Sequence, residues 1–249
     1  AYAFCAPGFI GFVCFTLFPI GFMLAVSLTN RKLNGVSKFI GLKNYINMFN
    51  SSTFWNSVKV TLFFTVIMVV VTAIWAVFMA MLLNCKQKLN GIFQFCYFLP
   101  SVIPSIALAY AFRTIFGKEA GLLNGLLSVF AGKNVAINWL YNHSTVYLAV
   151  FFITLFTYNT GQMMLIFRSG LSDVPAELYE ACELDGAGAF TKFFKITLPM
   201  ISPLVLFNAV NGCVSALNGS FALLYPLTGE SGDPDAMTQV LSLLIYKEA

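Results

Sequence analysis

The sequence predicts an all-α membrane protein, a polytopic bundle of transmembrane helices. Composition points there first: 59% of the 249 residues are hydrophobic and 10% are charged, against about 25% charged in soluble domains. The distribution of charge points there second. Residues 1–30, 60–85, 89–112, 134–167 and 196–229 carry no Asp, Glu, Lys or Arg. A membrane span needs about 20 predominantly apolar residues, so each gap holds one helix. The five expected spans are 5–29, 60–84, 95–115, 146–168 and 201–226. Tyr246-Lys247-Glu248-Ala249 reads as the start of a sixth, and a basic tail is expected before residue 1. No stretch between the spans is large enough to bury its own core. The reading is therefore one transmembrane domain over 1–249.

The first span carries Pro7 and Pro19. Membrane helices tolerate proline when neighbours satisfy the freed carbonyl. The run is too long for a signal peptide. In the connector 30–59, Phe39, Leu42, Tyr45, Ile46 and Phe49 recur at helical intervals and predict an amphipathic helix at the interface. Trp55 anchors the start of the second span. The connector 84–95 is short. The third span holds Pro100 and Pro104 and ends near Arg113. The uncharged run 120–132 is too short to span and reads as an interfacial or re-entrant helix. Trp139, Tyr141 and His143 mark a return to the interface, and the fourth span ends at Arg168. GESGDPDA at 229–236 is a turn-rich acidic loop after the fifth span.

Several function classes fall away. The expected spans contain no interior Asp, Glu, Lys or His, and His143 is the only histidine, so no nucleophile–base pair or metal cluster stands at membrane depth. No catalytic residue and no metal ligand is assigned, and His143 reads as a surface residue. The six cysteines lack CxxC spacing, and the plain reading is reduced or buried thiols. A net charge of +4, scattered along the chain, gives no nucleic-acid footprint. No GxxxxGK[ST] occurs, so the chain binds no nucleotide cofactor of its own. The three N-x-S matches, at Asn50, Asn142 and Asn218, are short enough to arise by chance.

Between the fourth and fifth spans lies a polar segment, 169–199. Asp173 and Pro175 start a helix. Glu177 and Glu180 lie early in it, at the end favoured by acids. Gly186 and Gly188 are expected to break it through positive φ. Phe190, Phe193 and Phe194 share one face of a second short helix, with Lys192 and Lys195 near the other. Such a helix–turn–helix suits docking into a groove of a soluble partner. An ordinary solvated loop lying on the bilayer is the plainer alternative.

Glu180-Ala181-Cys182, three residues, Gly186, nine residues, Ile196, one residue and Leu198-Pro199 together resemble the EAA loop of ABC-transporter permeases. Cys182 departs from the pattern, where the second Ala is usual. FIGLKNYINMFNSSTFW, FLPSVIPSIALAYAFRTIF and GLLN, in that order, resemble the maltose-type, binding-protein-dependent sugar permeases. The resemblance implies an importer-permease bundle in the bacterial cytoplasmic membrane, bathed by lipid. It implies a second homologous permease, two nucleotide-binding ATPase subunits that hydrolyse ATP with Mg, and an extracellular solute-binding protein. The coupling residues it implies are Glu177, Glu180, Ala181, Cys182, Asp185, Gly186, Phe190, Ile196, Leu198 and Pro199. The substrate implied is a sugar or oligosaccharide, with a glycerol phosphate or polyol as the alternative. A phosphate would want a cation in the path, and the expected spans supply none in their interior.

A sugar path needs hydrogen-bonding side chains inside the bundle. Asn208, Asn211, Ser215 and Asn218 fall at intervals of three and four on one face of the fifth span. Asn159 and Gln162 add a second polar pair on the fourth. Interhelical hydrogen bonding is the alternative, weaker for the fifth-span set and stronger for Asn159 and Gln162. Phe221 and Tyr225 continue the fifth-span line with aromatic faces.

Orientation rests on the motif. With 169–199 and 85–94 in the cytoplasm, Lys86, Lys88, Arg168, Lys192 and Lys195 lie inside, and the other nine Lys and Arg lie outside. The positive-inside rule alone points the other way. A passive membrane scaffold is the remaining rival class, and co-purifying subunits separate it from a permease.

Overall fold

The computed structural model describes residues 2–30, 38–84, 89–119, 121–157, 159–232 and 234–248. The connector residues Cys85, Lys86 and Lys88, and Arg31 and Lys32 of the charge count, lie outside the described residues. The chain forms two compact units, Ala1–Trp55 and Asn56–Ala249.

The first unit opens with α1 (Tyr2–Phe12) and α2 (Phe18–Ser27), joined by a π-helical turn, Val13–Leu17. Phe4–Ser27 is long and apolar enough to span a membrane. Large apolar side chains such as Phe4 and Phe15 stand exposed along it, as a lipid-facing helix requires. A two-strand hairpin follows, β1 (Thr29–Asn30) pairing antiparallel with β2 (Lys38–Phe39). The expected amphipathic helix is present as α3 (Lys43–Asn50). It is pinned to the end of α2 by Tyr45 Oη and Ser27 Oγ at 2.7 Å, and by Asn44 Nδ2 donating to the Ser27 carbonyl at 2.8 Å.

The second span is α4 (Ser52–Leu83), which starts earlier than the sequence suggests. The third is not one straight helix. It is α5 (Asn90–Val102) and α6 (Ser105–Ile115), with axes 105° apart. The residue before a proline is pushed out of the helical region, and Ile103, at φ −76° and ψ 137°, obeys, with Pro104 capping α6. The fourth span is likewise two pieces, α8 (Val146–Thr157) and α9 (Thr160–Ser172), bent by 54°. Between the third and fourth spans stands the expected short helix, α7 (Leu122–Ala131). The fifth span, α12 (Leu198–Thr228), follows α10 (Ala176–Leu184), α11 (Ala189–Lys192) and a π-helical turn, Phe193–Thr197. The last helix is α13 (Leu241–Glu248), whose first N–H is capped by Thr61 Oγ1 of α4 at 2.8 Å.

Two apolar clusters hold the second unit. One gathers Phe64, Met68, Val150, Ile153, Leu224 and Leu243. The other gathers Ala76, Ala80, Met164, Phe167 and Ile201, near the start of α12. On α7, Asn124 is 2% exposed. Its amide nitrogen donates to the carbonyls of Gly117, Lys118 and Ile137, and its oxygen accepts from Trp139 Nε1 at 2.8 Å. This explains why an asparagine ends the GLLN element. Asn124→Ala leaves these buried groups unpaired, at about 1–3 kcal/mol per group. The expected result is a lower melting temperature of the purified protein in detergent, and an unchanged melt would show that the knot is dispensable.

Candidate coupling loop and membrane cavity

The segment after the fourth span folds as the expected helix–turn–helix. Pro175 takes the N-cap position of α10 rather than its first turn. The helix closes in a Schellman arrangement: Ala187 N–H donates to the Cys182 carbonyl at 2.9 Å and Gly186 N–H to the Glu183 carbonyl at 3.0 Å. Gly186 has φ +74°, the left-handed conformation that glycine adopts without cost. Gly188 does not share that role. It is extended, at φ −70° and ψ 169°, and serves as the N-cap of α11.

Across the turn, Tyr179 Oη and Thr197 Oγ1 meet at 2.9 Å, and Lys192 pairs with Glu183. The two arms are thus tied together. Glu177, Glu180, Ala181, Asp185 and Phe190 are exposed, Cys182, Ile196 and Leu198 are half-buried, and Pro199 is exposed in the first turn of α12. No residue of α10 is buried. The phenylalanines share one face, as the sequence predicts, and Phe190 is 82% exposed. Phe190, Phe193 and Phe194 line an apolar groove of about 640 Å³ with Ile74, Phe78 and Met81 of α4. On α10, Leu184 is 90% exposed and Leu178 is also exposed. Sequence reading missed these two leucines, because the periodicity of a nine-residue helix does not distinguish core from docking face.

The polar candidates divide. A cavity of about 360 Å³ is lined by Ser105, Thr157, Asn159, Val214, Ser215, Asn218 and Leu223. Asn159, Ser215 and Asn218 are therefore brought together. Asn208 is 3% exposed and donates to the Leu204 carbonyl of its own helix at 3.0 Å. Asn211 and Gln162 are exposed and lie outside the cavity lining.

The cavity sits where two helices are broken. Ser105 is the first residue of α6, Thr157 the last of α8, and Asn159 the cap of α9. Asn159 has φ +51°, a conformation uncommon outside glycine but reached by asparagine more readily than by most residues. The backbone freed at this break is satisfied locally. The Leu155 carbonyl accepts from Thr160 Oγ1 at 2.8 Å and from Tyr97 Oη at 3.3 Å. Close approach helps: a Cβ at Gly161 would stand 3.0 Å from Phe98 Cα of α5. Broken membrane helices that line a cavity are the usual place for a transported solute to be held. Ser105 and Thr157 were missed because only the breaks aim them inward. Pro104 was the available signal for one of those breaks.

The loop and the cavity share their helices. The segment that enters the loop is α9, capped by Asn159, and the segment that leaves it is α12, which carries Ser215 and Asn218. Near the loop, Arg168 Nη1 donates to Gln94 Oε1 of α5 at 2.9 Å. Ser172 Oγ donates to Asn84 Oδ1, beyond α4, at 3.2 Å. Among the described residues no group of His, Cys, Asp and Glu could hold a metal ion.

Residues 73–246 match the family described as the binding-protein-dependent transport system inner membrane component. The chain is 36% identical over 250 residues to the probable ABC transporter permease protein YesP of Bacillus subtilis, covering 100% of this chain and 79% of that protein. It is 31% identical to the trehalose/maltose transport system permease protein MalF of Thermococcus litoralis, covering 84% of this chain and 68% of that one. A crystal structure of a bacterial ABC transporter involved in the import of the acidic polysaccharide alginate matches with a TM-score of 0.80 at 20% identity. That match covers 99% of this chain and 82% of the other, and it is a likeness of fold.

Proposed function

The chain belongs to the inner membrane components of binding-protein-dependent transport systems, and from that premise we propose that it carries a neutral sugar or oligosaccharide through the cavity between α6, α8, α9 and α12. It is a multi-pass permease of the cytoplasmic membrane. The observation that carries the proposal is the shared helix pair. Of the four helices that line the cavity, two, α9 and α12, are the ones that run into the 169–199 loop. A push on that loop travels about 20 Å along α9, at 1.5 Å per residue, to reach Asn159. The mechanism needs no chemistry from this chain. ATP and Mg act in partner subunits, α10 and its turn receive the movement, and the helix breaks at the cavity yield to it.

The substrate class rests on chemistry. Among the described residues the cavity lining offers hydroxyls and amides and no charged side chain. That suits a neutral polyhydroxylated solute better than a phosphate or carboxylate, which would call for a cation. A relative named for trehalose and maltose fits the same reading.

Purification from native membranes tests it. The chain is expected to bring with it a homologous permease, a nucleotide-binding ATPase and, when the sugar is present, a solute-binding protein. Recovery without any nucleotide-binding subunit would overturn the proposal. Orientation is tested separately. In a background without native cysteines, Ser231→Cys is expected to react with an impermeant thiol reagent from outside intact cells. Reaction only after permeabilisation would invert the assignment of 169–199 to the cytoplasm.

A further inference from the structure

Arg168 is a fixed cation near the end of α9, and neither the 169–199 loop nor the cavity lining includes it. A cation at the end of a membrane span ordinarily extends toward the headgroups and water. Arg168 instead turns onto α5, where its Nη1 donates to Gln94 Oε1 at 2.9 Å. Its Nε is buried and, among the described residues, finds no hydrogen-bond partner. Among the described residues no carboxylate pairs with it either. A charge held against one neutral acceptor, with a nitrogen out of water, is costly. Ionisable side chains held inside a membrane bundle commonly serve its function. Position shows what this one serves. At the other end of α9, Gly161 also lies against α5: a Cβ there would stand 3.0 Å from Phe98 Cα. Gly161 and Arg168 are separated by about 10 Å along α9, at 1.5 Å per residue. A helix held at two points that far apart pivots on neither. From there α5 runs to the break at Ile103 and Pro104, and Ser105 just beyond it lines the cavity.

We propose that Arg168 is a positioning residue for translocation: through Gln94 it locks α5 to α9, so that movement of the loop reaches Ser105 as well as Asn159. This rests on the reading of the loop and the cavity given above, and it adds to them a helix that does not enter the loop. Moved alone, α9 would displace Asn159 and leave Ser105 behind. With α5 tied to it, the two polar groups shift together and the cavity changes as a unit. Arginine suits the task, because its guanidinium stays charged and its planar fork fixes the direction of the bond.

The test uses the assembled transporter in proteoliposomes, with its binding protein present throughout and trehalose, maltose and maltotriose as probe sugars. Arg168→Met keeps an unbranched stem and removes the donors. It is expected to lower the sugar imported per ATP hydrolysed about tenfold, the order of one hydrogen bond to a charged group. Hydrolysis stimulated by the binding protein should largely persist. Arg168→Lys, which keeps a charged donor, should restore most of the ratio. Gln94→Leu should reproduce Arg168→Met, and the double variant should be no worse than either single one. A second readout does not depend on the sugar. In a background without native cysteines, spin labels are placed at Phe93→Cys on α5 and Leu165→Cys on α9, both exposed positions. Their separation is expected to hold when ATP binds to the wild-type complex and to change in Arg168→Met. Parallel loss of uptake and hydrolysis with a lower melting temperature would make the pair packing and overturn the proposal. So would fully additive single effects, an unchanged ratio, or loss of the ATPase subunit from Arg168→Met, which would make the arginine a partner contact. If the wild-type complex hydrolyses ATP but imports none of the probe sugars, the sugar reading falls and the labels alone decide the tie. A permease that recruits no ATPase overturns both.

Discussion

Gly186→Val is expected to abolish most sugar uptake while the permease remains in the membrane at its normal level. At φ +74° the residue sits where an L side chain is strained. A β-branched residue there costs about 1–2 kcal/mol. No atom lies within 4 Å of where its Cβ would stand, so the substitution does not collide with the chain's own core. What changes is the turn that closes α10 and the surface presented beside it. The Schellman bonds from Ala187 and Gly186 are expected to break, and α10 would then meet the proposed ATPase partner at a different angle. Gly186→Asn is the control, because asparagine enters the left-handed region more readily and should retain most uptake. Uptake, membrane abundance by immunoblot and recovery of the ATPase subunit are measured on each variant. Normal uptake in Gly186→Val would remove the coupling assignment from the 169–199 segment.

The sequence was most legible where physics acts through composition and spacing. Uncharged runs located the three helices long and apolar enough to span and the two bent helix pairs, five spans if each pair is one, because a charge within the hydrocarbon is costly whatever the tertiary structure. The amphipathic helix at 43–50 and the short helix at 122–131 followed from period and length. The turn at Gly186 followed from glycine's freedom, while Gly188 did not need it. Side-chain direction was not legible. Asn208 and Asn211 share a helical face with Ser215 and Asn218 on a wheel, yet only the last two line the cavity. The wheel treats the helix as isolated, whereas α9 and α6 decide which turn of α12 meets a void. The break at Asn159 was illegible for a similar reason. No proline or glycine marks it before Gly161, and the chain bends there because Thr160 and Tyr97 satisfy the carbonyl that the bend frees.

That break gives the second large effect. Asn159 does two jobs that one pair of substitutions separates: its backbone holds φ +51° and its side chain faces the cavity. Asn159→Gly keeps the conformation and deletes the amide. It is expected to lower sugar uptake by up to about tenfold, the worth of a neutral hydrogen bond near 1 kcal/mol. The melting temperature should hold, since Gly is at ease at positive φ. Asn159→Val deletes the amide and also resists the conformation, so the α8–α9 bend straightens or strains. Uptake and melting temperature should then fall together, with uptake below that of the Gly variant. Binding-protein-stimulated ATP hydrolysis discriminates further. It should persist in Asn159→Gly, because the loop proposed to meet an ATPase is intact. It should drop in Asn159→Val, because α9 connects the break to that loop. Wild-type uptake by Asn159→Gly would show that the amide contacts no sugar, and the residue would then serve the bend alone.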